Sequence, residues 1–204
     1  KELDNSVRFF YYICKLTRGW VMNIQDLKST ISKSAFKKSY SVSNISFKNF
    51  FTSIELYTNT DGNDLDSIFK AVPRFQREND KWSESMQIKF IENVLKGLRS
   101  EILLFKVGDN ILDSYMILDG LQRTTAIHAF ISGKIKAFDY TFKELCDAKI
   151  ITFTSQDVVI KLYDFETENE AIEFYIDMNE NITHQPKDIE KARKFLKLAK
   201  EIKL

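Results

Sequence analysis

Along this chain the apolar positions alternate between a spacing of three to four residues and short unbroken runs. Within NDKWSESMQIKFIENVLKGL, residues 79–98, Ile88, Ile91, Val94, Leu95 and Leu98 recur at helical spacing, which predicts a helix with one buried stripe. Ser83 stands where an N-cap belongs and Gly97 where a helix stops. ILLFKV at 102–107 and YMIL at 115–118 are rich in strand formers and separated by GDNILDS, which predicts a strand pair joined by a longer turn. VVIKLYDF at 158–165 predicts a third strand. From Thr167, TENEAIEFYIDMN offers a Thr167/Glu170 capping box and a stripe of Ile172, Tyr175 and Ile176. After Pro186 the stripe is Ile189, Ala192, Phe195, Leu196, Ala199 and Ile202, with lysines opposite. Interleaved strands and helices predict an α+β fold.

Two stretches lack such a period. The Ser/Lys-rich STISKSAFKKSYSVSNISFK at 29–48 and YTNTDGND at 57–64 read as a mobile loop and a boundary. The expected organisation is a basic, mostly helical N-terminal extension over 1–60 and a compact domain over 61–204 that ends in a basic helix. Charge sharpens that division. Residues 1–60 carry nine Lys/Arg against four Asp/Glu, residues 184–204 seven against three, and the middle is net −8 although the whole chain is +1. Basic ends around an acidic centre suit a polyanion at the edges and a metal-nucleotide in the middle, with plain solvated faces as the alternative.

Composition removes other classes. Hydrophobic residues make up 44% and charged residues 29%, the balance of a folded protein. The apolar cluster VRFFYYICKL at 7–16 is too short and too charged to span a bilayer, and the N-terminus has no signal-peptide layout; the expectation is an intracellular, cytoplasmic protein without membrane contact. Cys14 and Cys146 stand apart with no CxxC, and both are read as small apolar residues of the interior. The glycines at 19, 62, 97, 108, 120 and 133 form neither GxxxxGK[ST] nor GxGxxG, so any phosphate must be held by arginine and a helix terminus. His128 is read as a packing or capping residue and His184, in NITHQP, as part of a surface turn.

The chemistry concentrates in ILDGLQRTTAIHAFISG, residues 117–133. A strand ends at Asp119, Gly120 permits a turn with positive φ, and a helix from about Thr124 carries Ile127, Phe130 and Ile131 inward. Such a helix start presents free N–H groups and the positive end of the dipole, a ready phosphate site. Arg123 adds a charged fork, Thr124 and Thr125 add hydroxyls, and Asp119 is a candidate to hold magnesium or orient water. The structural alternative makes Asp119 a turn former, Thr124 a cap and Arg123 one half of a surface ion pair. A second segment, VPRFQRENDKW at 72–82, brings Arg74, Gln76 and Arg77. Alternation there puts Arg74 and Gln76 on one side with Phe75 anchoring the other; a solvated loop is the alternative.

Together with AIEFYIDMNENIT, these two segments resemble the three signatures of the DGQQR-motif domain at the N-terminus of GmrSD-type restriction enzymes, a branch of the ParB/sulfiredoxin-like superfamily. The resemblance covers about residues 65–193. It implies a compact ParB/sulfiredoxin-like mixed sheet with flanking helices that binds, and often hydrolyses, a nucleoside triphosphate with Mg²⁺ in connection with DNA sensing, restriction or phage-host conflict. Carried onto this sequence, the pocket comprises Asp119, Gly120, Leu121, Gln122 and Arg123, with Gln76 and Arg77 from the earlier segment and Asn179 from the later one. In the function this resemblance implies, Arg77 and Arg123 clamp phosphates, with Arg74, Gly120 and Thr124 also lining the site. Gln76 and Gln122 orient the nucleotide or a water, and Asp119 engages magnesium or the attacking water. Lys191, Arg193, Lys194 and Lys197 offer a DNA-facing strip, and a nuclease-bearing protein is the expected partner. Leu121 departs from the motif's first glutamine and removes one polar contact, and NENIT lacks the glycines of the family's loop. Those departures favour an alternative, a non-enzymatic member that binds a protein partner of a DNA-acting complex; a stand-alone ParB-like nuclease using Asp119 is a third reading.

Overall fold

The structure is a computed structural model and describes residues 27, 29, 40–76, 82–108, 114–179 and 186–202. The chain divides into two compact units, Lys1–Lys38 and Ser39–Leu204. Only residues 27 and 29 of the first, both helical, are described, so the expected helical extension otherwise lies outside the described residues, as do Cys14, Arg77 and His184.

Residues 40–58, expected from the sequence to be part of the extension, belong to the larger unit. Tyr40–Ile45 form β1, a Phe47–Asn49 turn of 3-10 helix follows, and α1 runs Phe50–Thr58. β1 pairs antiparallel with β4, Val158–Phe165, in the register Tyr40↔Tyr163 to Ile45↔Val158. Over 40–45 a strand thus stands where a mobile loop was expected, while residues 30–39 of that stretch lie outside the described residues. The strand's alternate serines give no hydrophobic signal, and its order comes from the ladder to β4, a tertiary cue absent from the local sequence. The turn is stapled to the same strand's approach: the Phe47 amide donates to the Asp157 carboxylate at 3.0 Å, and the Asp157 amide donates to the Ile45 carbonyl at 3.0 Å.

The sheet has the order β1-β4-β2-β3. β2, Ser100–Val107, is parallel to β4, whereas β3, Met116–Asp119, is antiparallel to β2 with an irregularity between Leu103 and Leu104. The predicted strands at 102–107, 115–118 and 158–165 are therefore present within two residues of their expected ends. Alternation along them feeds two helical layers. On one face Ile102, Leu104, Ile117, Val158 and Ile160 share a core with Phe47, Phe50 and Ile54, with Ile91 and Val94 of α3, Glu84–Leu95, and with Ile127 and Phe130 of α4, Leu121–Ile131. The short helix α2, Leu65–Phe69, precedes α3 and is capped by Asp64, which accepts from the Asp66 amide. On the other face Phe105, Tyr163 and Phe165 meet Phe75 and the Phe174 and Tyr175 rings of α6, Glu168–Asn179, with centroids 5.1 Å apart for Tyr163–Phe174 and 5.6 Å for Phe75–Tyr175. This is an α+β fold: a mixed four-stranded sheet with flanking helices.

Most helix boundaries follow their caps. Ser83 accepts from the Met86 amide at 3.3 Å. At the other end of α3, Gly97 has φ +101° and the Leu98 amide returns to Asn93 O at 2.9 Å, which ends the helix in a left-handed turn. Leu98, counted in the predicted stripe, falls beyond that turn and is 53% exposed. Thr167 accepts from the Glu170 amide, but the Glu170 carboxylate bonds the amide of Glu166, one residue earlier than a strict capping box requires. A reciprocal box does exist at Thr141 and Glu144, opening α5, Phe142–Asp147. The last helix, α7, runs Pro186–Ile202, with Ala192 buried, Phe195 and Leu196 half-buried and Leu198 exposed.

Candidate phosphate-binding site at the start of α4

α4 begins at Leu121, three residues earlier than expected. Gly120 itself is the N-cap, with φ 99° and ψ 13°, and its carbonyl accepts from the Thr124 amide at 2.8 Å. Gln122 and Arg123 consequently sit in the first turn, where the leading amides have no intrahelical acceptor and no side chain caps them. Close approach enforces glycine here. A Cβ at position 120 would lie 3.2 Å from Ile102 Cα and 3.3 Å from Glu101 O.

Arg123 is held from two sides. One guanidinium nitrogen donates to Asp119 on the preceding strand, forming an ion pair with both side chains about one quarter exposed, and the other donates to the carbonyl of Glu101 at 2.5 Å. The ion pair of the structural alternative is thus formed. The Glu101 carboxylate in turn accepts from Lys161 Nζ at 2.7 Å. Sequence reasoning missed both residues. The available signal was Lys161 itself, a cation in the middle of the apolar run VVIKLYDF.

Gln76 meets the backbone of β3 one residue before Asp119. Its Nε2 donates to Leu118 O at 3.2 Å. The residue is 5% exposed, yet its Oε1 has no hydrogen-bond partner, a costly arrangement for a buried amide. The expected alternation around Phe75 does not hold. The Gln76 amide closes a turn onto Pro73 O at 3.0 Å, so Phe75 and Gln76 are both buried while Arg74 is exposed. Lys191, placed by the sequence in a DNA-facing strip, donates to Gln76 O at 3.0 Å and is tied to this segment. Lys194 pairs with Glu190 at 2.8 Å, and Arg193 and Lys197 are exposed on the same helix.

Other expected residues lie differently. Leu121, which stands where the motif has its first glutamine, is 7% exposed and belongs to the hydrophobic core. Thr124 is fully buried with its hydroxyl unpartnered, and Thr125 turns its hydroxyl back onto Leu121 O at 3.0 Å. Asn179, the last residue of α6, is 3% exposed and its Nδ2 donates to Tyr175 O at 2.8 Å. His128 is 3% exposed and packs on Phe51 while its Nε2 bonds the Asn63 carbonyl at 2.9 Å, the packing role expected for it. Cys146 is half-buried, and burial pushes its thiol up from the ordinary range.

At the opposite end of the sheet a cleft of about 370 Å³ opens beside Tyr115, Lys70 and Thr60. Burial first, then the Asp164 carboxylate that accepts its hydroxyl at 2.8 Å, push the Tyr115 phenol up to about 12 from an ordinary value of 10.0. The folded state therefore prefers the neutral phenol, and the associated stability, complete below pH 10, is lost as pH rises toward 12. A phenolate titration at high pH is expected to lose its step near 12 in Tyr115→Phe and to shift that step downward in Asp164→Asn.

The fold and this geometry define a class: an α+β domain whose polar site is built at a strand-turn-helix junction, with a buried glutamine and a paired arginine beside an uncapped helix start. Residues 54–202 match the family described as GmrSD restriction endonuclease, N-terminal domain. The chain belongs to that family, which sets it in the context of DNA restriction. No curated protein matches it, and no solved structure does. Among the described residues, no helix is long and apolar enough to cross a membrane.

Proposed function

We propose that this domain binds a nucleoside triphosphate with Mg²⁺ at the start of α4, in the ParB/sulfiredoxin-like manner, and couples that binding to DNA restriction in the cytoplasm together with a nuclease-bearing partner. What supports the reading is three groups tied to the end of β3 and the start of α4. The first-turn amides of α4 lack acceptors by geometry, Gln76 Oε1 is buried without a partner, and Arg123 is a half-buried guanidinium whose present partners are a carboxylate and a backbone carbonyl. Amides and guanidinium suit phosphate oxygens, and the Gln76 acceptor suits a donor on the nucleotide or a bound water.

Asp119 has a double part in this proposal. It holds Arg123 in place before binding; once a phosphate takes over the guanidinium, the released carboxylate is the residue that fits Mg²⁺ or orients a water. The metal would supply charge neutralisation to the triphosphate. Lys191 adds a cation beside Gln76. Leu121 lies in the core, and the retained Asp119, Gln122 and Arg123 favour the nucleotide reading over a purely protein-binding one. DNA is assigned to the exposed face of α7 around Arg193, Lys194 and Lys197.

Calorimetry with ATP, GTP and CTP in the presence of Mg²⁺ tests the site. Arg123→Ala is expected to weaken the preferred nucleotide by about 10- to 100-fold, the worth of hydrogen bonds to a charged group, with the melting temperature little changed. No binding of any of the three by the wild type, or equal binding by the variant, defeats the reading.

A further inference from the structure

At the far end of α4 from Arg123, the segment Lys134–Tyr140 sorts its side chains by alternation. Ile135 and Ala137 are buried, whereas Lys134, Lys136, Phe138 and Tyr140 are exposed. Ala137 and Tyr140 exchange both backbone hydrogen bonds at 2.9 Å, closing a two-residue turn. The two turn residues, Phe138 and Asp139, have φ values of 51° and 66°. Consecutive positive φ values are ordinarily supplied by Asn-Gly or Asp-Gly, and a bulky aromatic there carries a conformational cost. That cost is met by only partial burial: Phe138 remains 40% exposed and Tyr140 55%.

Charge identifies what such rings would meet. Lys96 Nζ sits over one face of the Phe138 ring, 5.0 Å from its centre, and Lys134 and Lys136 precede the turn and are exposed. None of these three lysines forms an ion pair among the described residues. The neighbouring carboxylates are largely committed. Glu92 faces Lys89 and accepts the Phe138 amide, Glu144 is engaged in its capping box, and Asp147 pairs with Lys143 at 2.6 Å, leaving Asp139 at the tip. Aromatic faces interleaved with lysines outside any ion pair are the chemistry by which proteins bind single-stranded nucleic acid, bases on rings and phosphates on cations.

We propose that the Lys134–Tyr140 turn, with Lys96, is a stacking platform for single-stranded nucleic acid, in which Phe138 and Tyr140 take bases and the lysines take the intervening phosphates. The platform is separate from the nucleotide site and from α7, and it stands whether or not either of those assignments holds.

Fluorescence anisotropy with labelled oligothymidylate and oligouridylate of about 20 nucleotides, enough for one such site, tests it. The wild type is expected to bind at low salt and to weaken steeply as salt rises. Phe138→Asn combined with Tyr140→Ser is expected to lose at least tenfold in affinity while its melting temperature holds or rises, because asparagine tolerates the left-handed position. Phe138→Tyr keeps a ring and is expected to keep binding. Lys134→Glu with Lys136→Glu is expected to weaken binding and flatten its salt dependence. Calorimetric nucleotide binding in the same variants is expected to be unchanged. The proposal is overturned if the wild type binds neither oligomer, if the double turn variant binds like the wild type, or if affinity falls only on reversing Lys194 and Lys197. Preference between the two oligomers separates DNA from RNA.

Discussion

Alanine at position 130 is expected to cost about 3–5 kcal/mol of stability, the range for truncating a fully buried phenylalanine. Phe130 is 0% exposed, and it joins three parts of the chain that are distant in sequence. Its ring meets Phe47, from the turn after β1, edge-on at 5.8 Å, and Phe142, the first residue of α5, at 5.7 Å. Truncation therefore opens a cavity and removes two aromatic pairs, each worth roughly 0.5–1.5 kcal/mol beyond its area. Thermal unfolding is the check, with a fall on the order of 10 °C for a protein of this size. Phe130→Leu fills most of the space and is expected to lose less than half as much. Because Phe130 lies at the end of α4 remote from Arg123, nucleotide affinity measured well below the transition is expected to survive. A loss of affinity without a loss of stability would show that a change at Phe130 reaches the first turn of its helix.

The same helix shows how far local sequence carries. Ile127 and Phe130 announce its buried face through spacing alone, and both are in the core. Its start is misplaced by a local reading because Thr124 looks like a cap, while the true cap is a glycine whose suitability depends on the nearness of β2, a contact between residues far apart in the chain. β1 escapes notice for the complementary reason: YSVSNI gains its order by pairing with β4, and two of its exposed positions, Ser41 and Val42, say nothing about burial. In the site, Asp119, Gln122 and Arg123 are legible from an apolar run ending in Asp-Gly. Glu101 is not, since it contributes a backbone carbonyl, a group every residue type supplies. Gln76 is legible as a polar residue beside Phe75, but its burial is not, because alternation presumes an extended chain and the segment turns at Pro73.

Gly120→Ala is expected to damage fold and site together, and by more than conformation alone explains. The φ of 99° places the residue in the left-handed region, where a non-glycine side chain costs about 1–2 kcal/mol. Gly97 supplies the reference. It has nearly the same φ, 101°, and nothing within 4 Å of the point where an alanine methyl would sit, so Gly97→Ala reports the conformational cost by itself. At Gly120 the new Cβ would also press on Ile102 Cα at 3.2 Å and on the carbonyl of Glu101 at 3.3 Å. Both are backbone groups of a central strand and have little room to give. Gly120→Ala is therefore expected to exceed Gly97→Ala by at least about 1 kcal/mol in chemical denaturation, a strain of the size associated with overpacking. The displaced carbonyl is also the one that holds Arg123. Moving it turns the guanidinium away from the helix start, so nucleotide affinity is expected to fall in Gly120→Ala and to be retained in Gly97→Ala. Equal destabilisation by the two substitutions, with equal nucleotide binding, would mean that β2 yields at this contact and that Arg123 takes its position from Asp119 alone.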